Sequence, residues 1–532
     1  MASKVLAWIK RSVVLLGAIA LFFGYAWLPL QTEGVWNAPD ETAAAYFATR
    51  IPLLGGSYVE PAGYTETLGG LVHPRSTTVV NGNLVPGMWL GLPWLLRLGH
   101  TLTGLDIEWL ELGISAVAVL AVLAWGQVIA RFFEDWRIGW AAAFALAIHP
   151  GWWYYTARGL HPNVLFVALG ILSIWAWYVL VPAIRKRWGD TWAYGAVYGG
   201  GLLMGLSLFV RTNELIWTGP LLVLAAWRLR AHRKALLWAG AGLFTVACLA
   251  GLTQSAVYGS ALQNGYEVPA DPLPIEIVSD QSVIAGHLFA QIGRLFFPFC
   301  FHERTTFTHV FPYHVTFFPL WSAFTLLGAF FLAVRFGQLS EEIRRRIRDV
   351  VSGVLIATVY LFIVYGSWHI QDNIDPTAIT IGTSYIRYWL PVTVVMTALI
   401  GYILIHAIPK RRPDWYRYMA WAVFCVALLF AGVNQVFKSP DEGLLSVHAR
   451  LQEYQEERDW LLRQTQADDI IIVDRADKVL FPFRHVVVPL RSERTYQMLG
   501  EMERAVVEAD AQLYYWGMTL PEKDRAFLQE QR

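Results

Sequence analysis

Long apolar runs separated by short charged turns dominate the pattern of this chain. A helix needs about 20 mostly apolar residues to cross a bilayer. Runs of roughly that kind recur near Val13–Leu30, Ile107–Ile129, Ile138–Tyr155, Val164–Val181, Tyr194–Val210 and Leu215–Trp227. Others fall near Ala235–Val257, Val315–Val334, Val350–Tyr365, Ile386–His406 and Met419–Val436. The pattern predicts a polytopic α-helical membrane protein with about eleven transmembrane helices. The first run follows a basic flank of Lys4, Lys10 and Arg11 and lacks a small-x-small cleavage site, so it is expected to stay as a signal anchor. Leu84–Leu98 is apolar but short and carries Pro86, Pro93 and Arg97. It reads as a helix lying on the outer interface. Arg131, Arg137, Arg185–Arg187, Arg228–Lys234, Arg335, Arg344–Arg348 and Lys410–Arg412 then all face the cytoplasm, as the positive-inside rule asks.

With a cytoplasmic N-terminus, the outer face receives Gln31–Asp106, the turn His149–Asn163, the loops Tyr258–His314 and His369–Tyr385, and everything after Phe437. So much non-helical sequence on one side suits an enzyme of the outer interface better than a transporter. Two domains are expected: a membrane module over 1–436, with outer loops at 31–106 and 258–314, and an extracytoplasmic α/β domain over 437–532. In the tail, Leu444–Leu462 and Arg494–Ala509 have helical periodicity, and Asp469–Asp474, His485–Leu490 and Gln512–Trp516 read as strands. No Gly-rich phosphate loop follows those strands, which argues against a nucleotide site and leaves a docking, lid or capping role.

Composition sharpens this. Apolar residues make up 55% of the 532 and charged residues 16%, too few charges for an ordinary soluble protein of this size. A net charge of +1 provides no field for nucleic acid. The 25 tryptophans suit interfacial anchoring. Cys248, Cys300 and Cys425 have neither metal-site nor disulfide-framework spacing. Leu339–Val350 alternates acids and arginines at helical spacing and is expected to lie solvated against anionic membrane lipids.

Candidate chemistry begins just after the first run, at Trp36-Asn37-Ala38-Pro39-Asp40-Glu41-Thr42. A proline followed by acids is how many helices start, because carboxylates favour the positive end of the helix dipole. The same two carboxylates at the outer membrane face could also supply a general base. A signal anchor, a Pro-Asp-Glu at the outer interface, an amphipathic outer segment and many spans together resemble the GT-C glycosyltransferases. The narrower likeness is to the branch of the protein O-mannosyltransferases and the lipid A aminoarabinose transferase. It continues in Tyr258-Gly259-Ser260-Ala261-Leu262-Gln263-Asn264-Gly265-Tyr266 and in Ser384-Tyr385-Ile386-Arg387-Tyr388-Trp389-Leu390-Pro391.

The resemblance implies transfer of a sugar from a polyprenyl-phosphate donor to a hydroxyl of a cell-envelope acceptor (lipid, polysaccharide or protein), in the cell membrane and with inversion. Asp40 would be the base, and Glu41 either a second acceptor-orienting group or a helix-start acid. Candidates for the donor phosphate are Arg158, Arg211, Arg294, Arg304 and Arg387, since a guanidinium fork holds two phosphate oxygens. Arg211 stands near Glu214, where a simple ion pair is the alternative. Tyr266, Tyr385 and His161 are the substrate-binding candidates. The turn Thr156-Ala157-Arg158-Gly159-Leu160-His161-Pro162-Asn163 has no carboxylate where several relatives of this kind place one. His287, His302, His309, His314 and His369 lack metal-site spacing, so neither a metal nor another cofactor is expected. The competing readings are a lipid-linked-sugar flippase or secondary transporter, and a non-catalytic subunit presenting the tail. A transporter should show paired inverted repeats or ionisable groups near mid-membrane, and the sequence displays no clear repeat.

Overall fold

The structure, a computed structural model, describes residues 2–32, 34–61, 64, 68, 72–266, 296–370, 378–408, 413–473, 476–488 and 499–517. Six of its helices are long and apolar enough to cross a membrane: Ile107–Phe133, Pro162–Trp188, Asp190–Val210, Arg233–Tyr258, Glu341–Ser367 and Asp414–Lys438. A seventh crossing arises if Glu303–Thr316 and Pro319–Val334, bent by 93°, count as one. The chain is thus a mostly helical, multi-pass membrane protein, with six or seven candidate spans among the described residues against the eleven expected. The other expected runs are helical but short or broken. Leu390–His406 has 17 residues, and Leu215–Arg228 has 14 with Pro220 inside. The run expected over 138–155 stops at Ala147 and restarts at Pro150. Proline lacks the amide and clashes with the preceding turn, so continuous apolarity there does not make a continuous helix.

The described residues fall into two compact units, one drawn from those within 1–30, 112–246 and 282–446, the other from those within 31–111, 247–281 and 447–532. In the first unit, helices approach at small residues, since lipid offers no hydrophobic drive to bring them together. A Cβ on Gly139 would lie 2.2 Å from the Gly126 carbonyl oxygen, and one on Gly201 2.2 Å from that of Ala239. Polar side chains fasten the helices Pro162–Trp188 and Asp190–Val210. Ser207 donates to the Phe166 carbonyl at 2.7 Å, and Ser173 to that of Gly200 at 2.8 Å.

The second unit contains both β-sheets. Strands β1 (Thr77–Val80) and β2 (Asn83–Pro86) form an antiparallel hairpin. Asn81 and Gly82, with φ of 51° and 74°, make its turn, the dipeptide that best tolerates two left-handed residues in a row. A helix, Gly91–Thr103, follows the hairpin. At about 1.5 Å per residue its 13 residues are too short to cross a bilayer alone.

The tail is a small α/β arrangement. Strands β3 (Ile470–Val473), β4 (His485–Val487) and β5 (Leu513–Trp516) are parallel, in the order β4-β3-β5. The central strand is buried at all four positions, which is why Ile470–Val473 is apolar throughout instead of alternating. Its core joins Ile470, Ile472, Val487, Met502 and Val506 to Leu68 and Val72 of the first loop. A short helix, Asp477–Leu480, lies between β3 and β4.

Candidate functional site

In the second unit, Pro39–Ala48 forms a helix with Pro39 in its first turn and Asp40 and Glu41 beside it. Glu41 is buried, and its Oε2 accepts the Ala38 N–H at 2.8 Å, closing that turn. This is the helix-start role, one of the two open for Glu41. Asp40 is half-buried and accepts a short hydrogen bond from the Ser76 hydroxyl at its Oδ1.

The tail brackets this helix on several sides. Lys478 Nζ donates to the Asn37 carbonyl at 2.7 Å, and Thr42 donates to the Lys478 carbonyl at 2.9 Å. Tyr46 packs on Phe481 with ring centroids 4.5 Å apart. Asp477, with no exposed surface, accepts from Arg75 Nη2 at 2.6 Å, from Arg75 Nε at 3.1 and 3.2 Å, and from the Arg75 main-chain N–H at 3.0 Å. His73, two residues before Arg75, is held neutral by burial, which depresses its pKa. The segment Tyr258–Tyr266 closes on the hairpin. Tyr258 donates to the Pro86 and Met88 carbonyls at 2.7 and 3.0 Å, and the exposed Tyr266 lies 5.4 Å from the Trp89 ring.

The first unit gathers three of the predicted residues. Arg387 Nη1 donates to His161 Nδ1 at 2.7 Å, and its Nη2 donates to the Ser384 hydroxyl at 2.7 Å. Asn163 donates to the Arg387 carbonyl at 3.3 Å. Arg158, buried at the end of the helix Pro150–Ala157, donates to the Tyr154 hydroxyl at 3.1 Å. Burial, then the charges of Arg158 and Arg387, push the His161 pKa well down. The ring is therefore neutral, and its Nδ1 accepts while the proton sits on Nε2. One guanidinium, that of Arg387, thus rests on an uncharged imidazole.

The remaining candidates have different settings. Arg211 is buried, and its Nε and Nη2 donate to Glu214 Oε1 at 2.9 and 2.7 Å. Tyr365 donates to the same oxygen at 2.7 Å, and the Trp217 indole to the other. The Tyr388 ring links the arginines, with Arg211 4.9 Å and Arg387 5.3 Å from its centroid. Tyr385 donates to the Trp368 carbonyl at 2.6 Å and accepts the Ile370 N–H at 3.1 Å, so it braces the start of its loop. Arg304 is exposed, and Arg294 and His287 lie outside the described residues. Among the described residues, no three His, Cys, Asp or Glu side chains gather as a metal site would require.

Ser76, Arg75, Asp477 and Lys478 are not among the residues predicted above. The Asn81-Gly82 turn signal could have revealed the hairpin and with it the placement of Ser76. Nothing local announces the pairing of Arg75 with a residue 402 positions away.

No protein-family profile matches the sequence, and no curated protein matches it. Solved structures do. The chain is similar to the oligosaccharyltransferase of Archaeoglobus fulgidus tethered to an acceptor peptide, at TM-score 0.52 and 13% identity, covering 91% of this chain and 64% of that one. It is also similar to the same organism's oligosaccharyltransferase AglB in complex with an inhibitory peptide and a dolichol-phosphate, at TM-score 0.50 and 13% identity, covering 90% and 65%. The chain thus spans slightly under two-thirds of that protein's length. ArnT from Cupriavidus metallidurans bound to undecaprenyl phosphate aligns over 96% of this chain and 90% of its own at 14% identity, but its TM-score of 0.47 is too low to establish a shared fold. At such identities the likeness is one of fold alone.

Proposed function

We propose that this protein is a membrane glycosyltransferase that moves a sugar from a polyprenyl-phosphate donor to a hydroxyl of a cell-envelope acceptor at the extracytoplasmic face. The acceptor is a lipid, a polysaccharide or a protein. The observation that carries the reading is a half-buried carboxylate, Asp40, fixed at the start of a braced helix in a chain of GT-C fold. The lipid-phosphate donor class is supported by the dolichol-phosphate in the AglB complex. Within GT-C enzymes we assign the chain to the polyprenyl-monophosphate branch, on residues 36–42, 258–266 and 384–391.

The chemistry needs one base. Asp40 takes the proton of the acceptor hydroxyl as its oxygen bonds to the anomeric carbon. The bond from that carbon to the phosphate oxygen breaks on the opposite face, and polyprenyl phosphate leaves with the electron pair. A phosphate leaves without being protonated, so the second carboxylate that a glycosidase uses as acid is not required. A single in-line displacement inverts the anomeric centre. Arg158 and Arg387 hold the phosphate charge, and the neutral His161 sets the Arg387 fork without adding a third positive charge. Arg211, tied to Glu214, steadies Tyr388.

Purified protein in detergent, given a panel of radiolabelled polyprenyl-phosphate sugars and an envelope extract, is expected to transfer label and release polyprenyl phosphate. Donor that binds and is never consumed, but crosses the membrane of proteoliposomes, would replace this reading with a flippase.

A further inference from the structure

Ser76 has a backbone φ of 60°, in the left-handed region that its side chain disfavours. The surrounding contacts over-determine that conformation. On one side the Gly87 N–H donates to the Ser76 carbonyl at 2.9 Å, and Gly87 sits so close that a Cβ there would lie 2.9 Å from the Ser76 carbonyl carbon. On the other side Arg75 is clamped through its main-chain N–H and its guanidinium by buried Asp477. This unfavourable backbone places the Ser76 hydroxyl on the Asp40 carboxylate. Strained backbone persists where the structure around it enforces it, and such positions cluster at functional sites.

We infer that Ser76 is a positioning residue for Asp40, and that the tail, through Asp477 and Arg75, holds it in place. The inference rests on the assignment of Asp40 as the base. Asp40 lies in the first turn of its helix. A hydroxyl bound to Oδ1 fixes the plane of the carboxylate and so the direction in which its lone pairs meet the acceptor proton. The tail then belongs to the catalytic apparatus, in place of a docking or capping role. Its short helix Asp477–Leu480 contributes the Asp477–Arg75 fork beside Ser76 and, at the Asp40 helix and its leading loop, the Lys478–Asn37 and Thr42–Lys478 bonds.

The test compares Ser76→Gly, Ser76→Asn, Asp477→Asn and Asp40→Asn in purified full-length protein, reading the thermal midpoint, kcat and donor KM. Glycine suits φ of 60°, so Ser76→Gly is expected to keep or raise the midpoint while kcat falls about 10- to 100-fold. Donor KM should stay within about twofold, because the lost contact orients the base and does not touch the donor. Asparagine tolerates the same backbone and offers an N–H donor, so Ser76→Asn is expected to recover part of kcat. Asp477→Asn should lower kcat in the same direction at unchanged donor KM. A purely structural serine would show activity tracking the midpoint. Ser76→Gly at wild-type kcat, or with a lowered midpoint, overturns the inference while an inactive Asp40→Asn leaves the base assignment standing. Asp477→Asn at wild-type kcat overturns the part given to the tail. Asp40→Asn retaining full transfer removes the base assignment, and this inference with it.

Discussion

The Arg211–Glu214 pair lends itself to a double-mutant cycle. Both side chains are nearly inaccessible, at 6% and 2% exposure. Glu214→Leu leaves a buried guanidinium without its carboxylate, and removing one member of a buried ion pair costs about 3–5 kcal/mol. Arg211→Met leaves Glu214 with the Tyr365 hydroxyl and the Trp217 indole still donating, so its cost falls at the low end, about 3 kcal/mol. The double replacement removes both charges together. Only the two neutral donors then lose their acceptor, for about 2–3 kcal/mol in all. The expected interaction energy is therefore about 3 kcal/mol or more. Unfolding in mixed micelles of dodecyl maltoside and SDS, followed by tryptophan fluorescence, provides the four stabilities. Transfer assays on the same preparations separate bracing from phosphate binding, because a bracing pair lets the double variant regain most of the activity lost in the singles. Additive stabilities, with a double variant as inactive as Arg211→Met alone, would refute the argument and return Arg211 to the phosphate.

Two further perturbations follow from the geometry. Arg387→Lys keeps the charge but has one donor nitrogen in place of the two that reach His161 and Ser384; losing one charged hydrogen bond of about 1.5–3 kcal/mol predicts a drop in kcat/KM of about 10- to 150-fold, and wild-type kcat/KM in the lysine variant would contradict the fork assignment. His73 is neutral in the fold because burial depresses its pKa. The unfolded chain, near 6.5, therefore takes up the proton first as pH falls. Stability should be level above about pH 6.5 and decline below it, with the decline shallower in His73→Asn; an identical pH profile for the variant in thermal unfolding would count against this.

What could be read in advance followed the local character of each signal. Ile470–Val473 announces a buried strand because all four residues are apolar, and the helices after Asp190 and Glu341 follow from unbroken apolar windows. Among the described residues, some apolar runs do not form full-length helices because hydropathy records how greasy a run is and not where its backbone breaks, as at Pro150 and at the 93° bend before Pro319. Asp40 stood out from its neighbours and its family resemblance. Its partner did not, because a serine 36 residues on acquires meaning only through the hairpin that follows it. The pairing of Arg75 with Asp477 is a product of tertiary folding that no window of sequence contains.

Removal of the acceptor proton by Asp40 is read out by single-turnover sugar transfer in Asp40→Asn with saturating donor and acceptor. The amide keeps the shape of the side chain and abolishes its basicity. A positioned base contributes about 10²- to 10⁴-fold, so the transfer rate should fall by that factor while the variant stays folded and binds donor as the wild type does. A folded Asp40→Asn variant that transfers sugar at the wild-type rate would contradict the account.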